Sequence, residues 1–81
     1  MSNRRVTLDV KGEVCPYPAM YARAVLEGMA PGQVLEILVD HLCAVEGVPA
    51  AVEQLGHRVL STESVANGVY RIVVQVGGRP S

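Results

Sequence analysis

Val34-Leu35-Glu36-Ile37-Leu38-Val39-Asp40 is nearly all apolar. A run of this length and composition suits a central strand, covered on both sides or across one thick face. Upstream, Val6, Leu8 and Val10 alternate with Thr7 and Asp9, a period of two that reads as a first strand. Gly12 and Glu13 break it. A helix then starts near Cys15, where Pro16 and Pro18 are tolerated because first-turn N–H groups lack intrahelical partners. It runs to about Met29 and is stopped by Ala30-Pro31-Gly32. Downstream of Asp40, Leu42 to Leu55 reads as a second helix, with Gly47 and Pro49 predicting a kink or two short helices, and Gly56 as its stop. His57 to Glu63 and Val69 to Val76 read as two strands joined at Asn67-Gly68, a strong hairpin signal. The order is βαβαββ. It predicts an α/β (α+β) two-layer sandwich, a four-stranded mixed sheet with two helices on one face. One domain spans residues 1–81, with an ordered core of about 5–77 and a loose tail from Gly77 to Ser81.

The 81 residues suffice for one small core, since a domain this short buries only about 60% of the surface its unfolded chain exposes. Hydrophobic residues make up 49% of the chain, far above the range of disordered sequences, and with no Phe or Trp the core must be aliphatic. Seven basic and eight acidic residues are scattered along it, and Lys11 is the one lysine. Without a basic patch, direct nucleic-acid binding is disfavoured. Met1 to Arg5 is polar, no apolar signal segment follows, and nothing reaches the roughly 18 apolar residues of a membrane span. These features place the chain in the cytoplasm. Thiols stay reduced there, which argues against a structural disulfide between Cys15 and Cys43.

Cys15-Pro16-Tyr17-Pro18 sets a thiol at the predicted N-cap of the first helix. The helix dipole and unpaired N–H groups at such an end favour an anion and so a thiolate. Pro16 and Pro18 have no N–H, so the donors near the sulfur are those of Tyr17 and Ala19, and the two rings stiffen the turn. A free cysteine is most often a small buried hydrophobe; the flanking prolines and the helix start favour a reactive one. On the helix, Pro18, Ala22, Val25, Leu26 and Met29 share one side and should pack on the sheet. Tyr17, Met20, Tyr21 and Ala24 form a second apolar stripe on nearly the opposite side. Beginning at the reactive end, it reads as a docking patch for partner proteins.

Cys-Pro-Tyr-Pro is not Cys-x-x-Cys, so thioredoxin-like chemistry lacks its resolving partner within the motif. Two Cys and two His match no common zinc spacing, and neither a metal nor an organic cofactor is expected. Gly77-Gly78 resembles a ubiquitin-like carrier end, but Arg79-Pro80-Ser81 follows it. Cys43 reads as a partly buried residue at a helix start. A thiolate at Cys15 can take up sulfane sulfur as a persulfide; the alternative role of Cys43, a second thiol that resolves that persulfide, requires the first turns of both helices to lie close. Asp40 reads as a cap for the second helix, with an acidic group restraining sulfur release as the other option. His57 shapes the turn after that helix, with a pH-dependent role near the sulfur as its alternative. Glu13 should face solvent, and Arg23 and Arg58 should be solvated surface.

Leu8-Asp9, Gly12, Cys15-Pro16-Tyr17-Pro18, Pro31-Gly32, the strand ending at Asp40, Val48-Pro49 and Gly56-His57 occur in the order seen in the TusA/SirA/YeeD-like family of sulfur carriers. The resemblance covers residues from about Thr7 to Val76. It implies the same βαβαββ sandwich and a sulfurtransferase or sulfur carrier whose persulfide forms on Cys15. Donors in such families are cysteine desulfurases, rhodanese-like proteins or thiosulfate. Sulfur passes on to tRNA thiolation, cofactor synthesis, sulfur oxidation or thiosulfate uptake. Two features depart from the pattern: His41-Leu42 follow Asp40 where a proline is common, and Cys43 lies outside the motif. Glu46, Val48-Pro49 and Gly56-His57 resemble the YeeD branch, associated with a thiosulfate-uptake membrane protein. From a different class, an adaptor that binds partners through the first helix without carrying sulfur fits the same stripe.

Overall fold

A computed structural model describes residues 5–77. The elements are β1 (Arg5–Asp9), α1 (Tyr17–Glu27), β2 (Val34–Val39), α2 (Leu42–Gln54), β3 (Arg58–Ala66) and β4 (Val69–Gln75). The sheet order is β1-β2-β4-β3. β1 runs parallel to β2, and β4 is antiparallel to both β2 and β3. Hence β2 and β3 point the same way, and both helices connect parallel strands. Each connection moves in the same direction across the sheet. Equal crossover handedness then puts α1 and α2 on one face, as the βαβαββ reading predicts.

The helix-covered face explains the apolar run that opens the sequence. Leu35, Ile37 and Val39 are buried completely, while Val34, Glu36 and Leu38 are half-buried on the other side. One face is therefore thickly covered and the other partly open, so of the two options for this strand the structure selects cover across one thick face. Leu35 lies between Val6 and Val74, and Ile37 between Leu8 and Ile72. From the helices, Pro18, Ala22 and Leu26 descend from α1, and Ala44, Val48 and Val52 from α2. The open face sets polar residues among apolar Val34, Leu38 and Val73, with ion pairs Arg5–Glu36 and Arg71–Glu63, the latter at 2.8 Å.

Four local expectations are corrected. Helix α1 begins at Tyr17, with Pro16 at its N-cap, so Cys15 lies just outside the helix. Helix α2 is one continuous helix through Pro49. Ala44, Val48 and Val52 recur every four residues against the sheet, and that packing outweighs the rung lost at proline. Strand β3 extends to Ala66, three residues beyond the predicted end, following the hairpin with register shifts after Val59 and Ser64. In the turn, Gly68 takes a φ of 73°, and among the described residues no non-glycine residue has a positive φ. Asn67 is therefore not left-handed, which rules out the type I′ form.

The fourth concerns the tail. Gly77 is fixed in place: its N–H donates to His57 Nδ1 at 3.0 Å, and its Cα lies so close to the Gly56 carbonyl that a side chain has no room. Gly78 to Ser81, including the second glycine of the Gly77-Gly78 pair, lie outside the described residues. Gly77→Ala should lower stability by about 1–3 kcal/mol through overpacking. Urea denaturation should show an earlier midpoint at unchanged slope.

Candidate functional site

Parallel pairing brings the C-terminal ends of β1 and β2 to the same sheet edge, where open α/β sheets place their ligands. The ladder continues one step past β1, with Val10 N–H donating to Leu38 O at 2.9 Å. Beyond it the chain turns at Gly12, whose φ is 89° and whose N–H donates to Asp40 Oδ1 at 2.9 Å. That bond ties the β1–α1 loop to the end of β2. Asp40 is thus a cross-link between the two loops. The N-cap of α2 is His41, which makes no side-chain cap bond, and its carbonyl accepts from Ala44 and Val45 N–H.

The tied loops bring two cysteines together. Cys15 and Cys43 are 28 residues apart in sequence and 6.2 Å apart between Cα atoms, and their sulfurs form a disulfide. A reducing compartment would instead keep both thiols free. That expectation concerns the surroundings; the fold sets both helix starts at one sheet edge, within the spacing a disulfide requires. Cys15 is half-buried against the edge of the core; Cys43 is exposed, and burial is not what holds it there.

His41 completes the cluster. One of its ring nitrogens and the two sulfurs lie within 4.8 Å of one another. Sequence reading missed His41 as a site residue. Its signal was the place after Asp40 where the family pattern commonly has proline. Two thiolates and an imidazole form a soft donor set that, once reduced, suits zinc or cuprous ion. The three converge although no linear spacing announced them. His57, by contrast, follows the far end of α2, a 13-residue helix about 20 Å long, and its Nδ1 is engaged by Gly77. The turn-shaping role fits this position, and the alternative near the sulfur does not.

Of the first-turn donors expected to serve the sulfur, Tyr17 N–H goes instead to Val14 O at 2.9 Å, and Pro18 has none. Ala19 N–H is left as the donor of that turn. Along α1, Tyr17, Met20 and Tyr21 are exposed by 47%, 55% and 44%, so the outward stripe exists and begins beside Cys15. Ala24 continues it, and Glu13 is half-buried, not fully solvated. Between α1 and α2 a shallow groove of about 230 Å³ runs from Pro16 past Ala19, Met20 and Arg23 to Ala51, Gln54 and Leu55. Arg23 pairs with Glu27 on the exposed surface at 3.3 Å. No helix among the described residues is long and apolar enough to cross a membrane.

Residues 6–76 match the family described as sulfurtransferase TusA. A Thermotoga maritima protein named "Putative sulfur carrier protein" is 41% identical over 70 residues, 86% of this chain and 89% of its own length. An Escherichia coli protein, "Putative sulfur carrier protein TsuB", is 34% identical over 84% of this chain and 91% of that one. Among solved structures, a SirA-like protein from Desulfitobacterium hafniense superposes with a TM-score of 0.78 at 28% identity, covering 90% of this chain and 99% of its own. The chain belongs to the TusA family of sulfur carriers. Such a carrier has a sulfur donor and a sulfur acceptor as partners.

The Asp40–Gly12 bond should govern how readily the two cysteines meet. Asp40→Ala removes the acceptor, and the rate of Cys15–Cys43 disulfide closure after reduction should fall several-fold. Asp40→Asn keeps an oxygen and should retain most of the rate. Timed alkylation with mass readout measures both.

Proposed function

We propose that Cys15 carries sulfane sulfur as a persulfide and relays it between proteins. The observation that carries this reading is the placement of Cys15. It is the cysteine of the Cys15-Pro16-Tyr17-Pro18 segment, next to the N-cap of α1, at a surface edge with an exposed apolar stripe beside it. The Cys15 thiolate attacks the outer sulfur of a donor persulfide. The donor's S–S bond breaks, its thiolate leaves, and Cys15 holds the sulfur as S–SH. With thiosulfate the leaving group is sulfite. An acceptor thiolate then repeats the exchange on the outer sulfur. Each step conserves electrons, so the relay asks for no redox cofactor. The partial positive charge of the helix start favours anionic sulfur in both the thiolate and the persulfide.

Pro16, Tyr17, Pro18 and Ala19 set the rigid turn that aims the sulfur. Tyr17, Met20, Tyr21 and Ala24 form the surface on which a cysteine desulfurase, a rhodanese-like donor or an acceptor presses. An exposed aromatic and methionine stripe suits successive partners, because such side chains give contact area without a fixed polar register.

Intact mass after incubation with a cysteine desulfurase plus cysteine, or with thiosulfate, should show a reducible gain of about 32 Da. Cys15→Ser should abolish it while the circular dichroism spectrum stays unchanged. A mutant that loads normally rejects the assignment, and one that stays unloaded yet retains full partner function favours the adaptor role. Met20→Asp should slow loading from a protein donor about tenfold and leave loading from thiosulfate unaffected, since only the former needs the stripe.

A further inference from the structure

Cys43 is the reactive side chain that the relay leaves unused. It is exposed in the first turn of α2, so it does not serve as the small buried hydrophobe that a free cysteine usually is. Its sulfur reaches the Cys15 sulfur itself, and the Asp40–Gly12 hydrogen bond fastens together the two loops that bear them. The His41 ring nitrogen lies within 4.8 Å of both sulfurs.

We propose that Cys43 is a resolving thiol, which gives this carrier a second outlet: release of its sulfur as sulfide. The proposal rests on the persulfide reading of Cys15. The Cys43 thiolate attacks the inner sulfur of Cys15–S–SH. The bond between Cys15 Sγ and the outer sulfur breaks, the Sγ–Sγ bond forms, and the outer sulfur leaves with the bonding pair as HS⁻, which takes a proton from solvent to reach H₂S. The outer sulfur is reduced to sulfide and the Cys43 sulfur is oxidised, while Cys15 Sγ exchanges one S–S bond for another, so the step balances by itself. Inner attack is the route the structure favours, because Cys43 meets Cys15 Sγ and not an atom one bond further out. A dithiol reductant of the thioredoxin type then restores both thiols. The Cys15–Cys43 disulfide is the bond that this step forms. A docked acceptor competes for the outer sulfur, so occupancy of the α1 stripe decides between transfer and release.

The two thiols are held together before reaction, so the intramolecular step should outrun any external thiol at ordinary concentration. The test follows persulfidated wild type and Cys43→Ser, loaded by a cysteine desulfurase and desalted, by intact mass and sulfide assay. Wild type should lose the added sulfur, end about 2 Da below the reduced mass, and release one equivalent of sulfide. A Cys15–Cys43-linked peptide should appear. Cys43→Ser should keep its persulfide at least about tenfold longer. Equal lifetimes, without the linked peptide, overturn the proposal while leaving the carrier reading intact. If no donor loads either protein, the carrier reading fails and the reverse reaction decides. Sodium sulfide added to the oxidised wild type should then give a species about 34 Da heavier, with the extra sulfur on Cys15. Absence of that species overturns the resolving role.

Discussion

The parallel pairing of β1 with β2 is the constraint on which the rest depends. Two adjacent parallel strands must be joined by a crossover, here α1, and their C-terminal ends must emerge side by side. The chain leaving β1 therefore enters α1 beside the point where the chain leaving β2 enters α2. Both helix starts, with whatever chemistry they bear, share one edge of the sheet. The Gly12 N–H to Asp40 bond fastens that edge from loop to loop. Both cysteines and one of the two histidines collect there: Cys15 from the first loop, His41 and Cys43 from the second.

The remainder of the fold holds this edge still. β2 is central and contributes Leu35, Ile37 and Val39, each completely buried. Ala22 and Leu26 on α1 and Ala44, Val48 and Val52 on α2 press on them from above. No aromatic ring takes part in the fully buried core, so close aliphatic packing fixes how the two helices sit against each other. That lateral fit sets the 6.2 Å between the Cα atoms of the two cysteines. The outer side of α1 is spared from packing, which leaves Tyr17, Met20 and Tyr21 on the surface beside the sulfur. A carrier of this size has no interior to enclose a reaction. Its working parts are therefore an exposed sulfur and an adjoining contact surface.

Much of this was legible in the residues. Alternation in Val6 to Val10, the apolar run of Val34 to Val39, the stops at Pro31-Gly32 and Gly56, and the Asn67-Gly68 turn define elements whose signals are local. The same holds for the two faces of α1, because helical periodicity assigns each side chain a direction before any partner is known. The Cys15-Pro16-Tyr17-Pro18 segment marked the sulfur as the residue to watch. Local rules failed where tertiary packing outweighed them. Pro49 leaves α2 continuous because Val48 and Val52 are locked on the sheet, and Gly77 is pinned by Gly56 and His57 from another element.

Sequence by itself therefore determined the order of elements, the buried face of each, the family and the cysteine that heads the first helix. These rest on periodicity, turn chemistry and motif, all of which act within a few residues. The tertiary structure alone decided that Asp40 binds Gly12, that His41 joins the sulfurs, and that Cys43 meets Cys15 across 28 residues of chain. Each of these is a distance between segments remote in sequence. Such distances are set by how far apart two helices pack on a sheet, a quantity that side-chain volumes determine collectively and no single stretch of residues encodes.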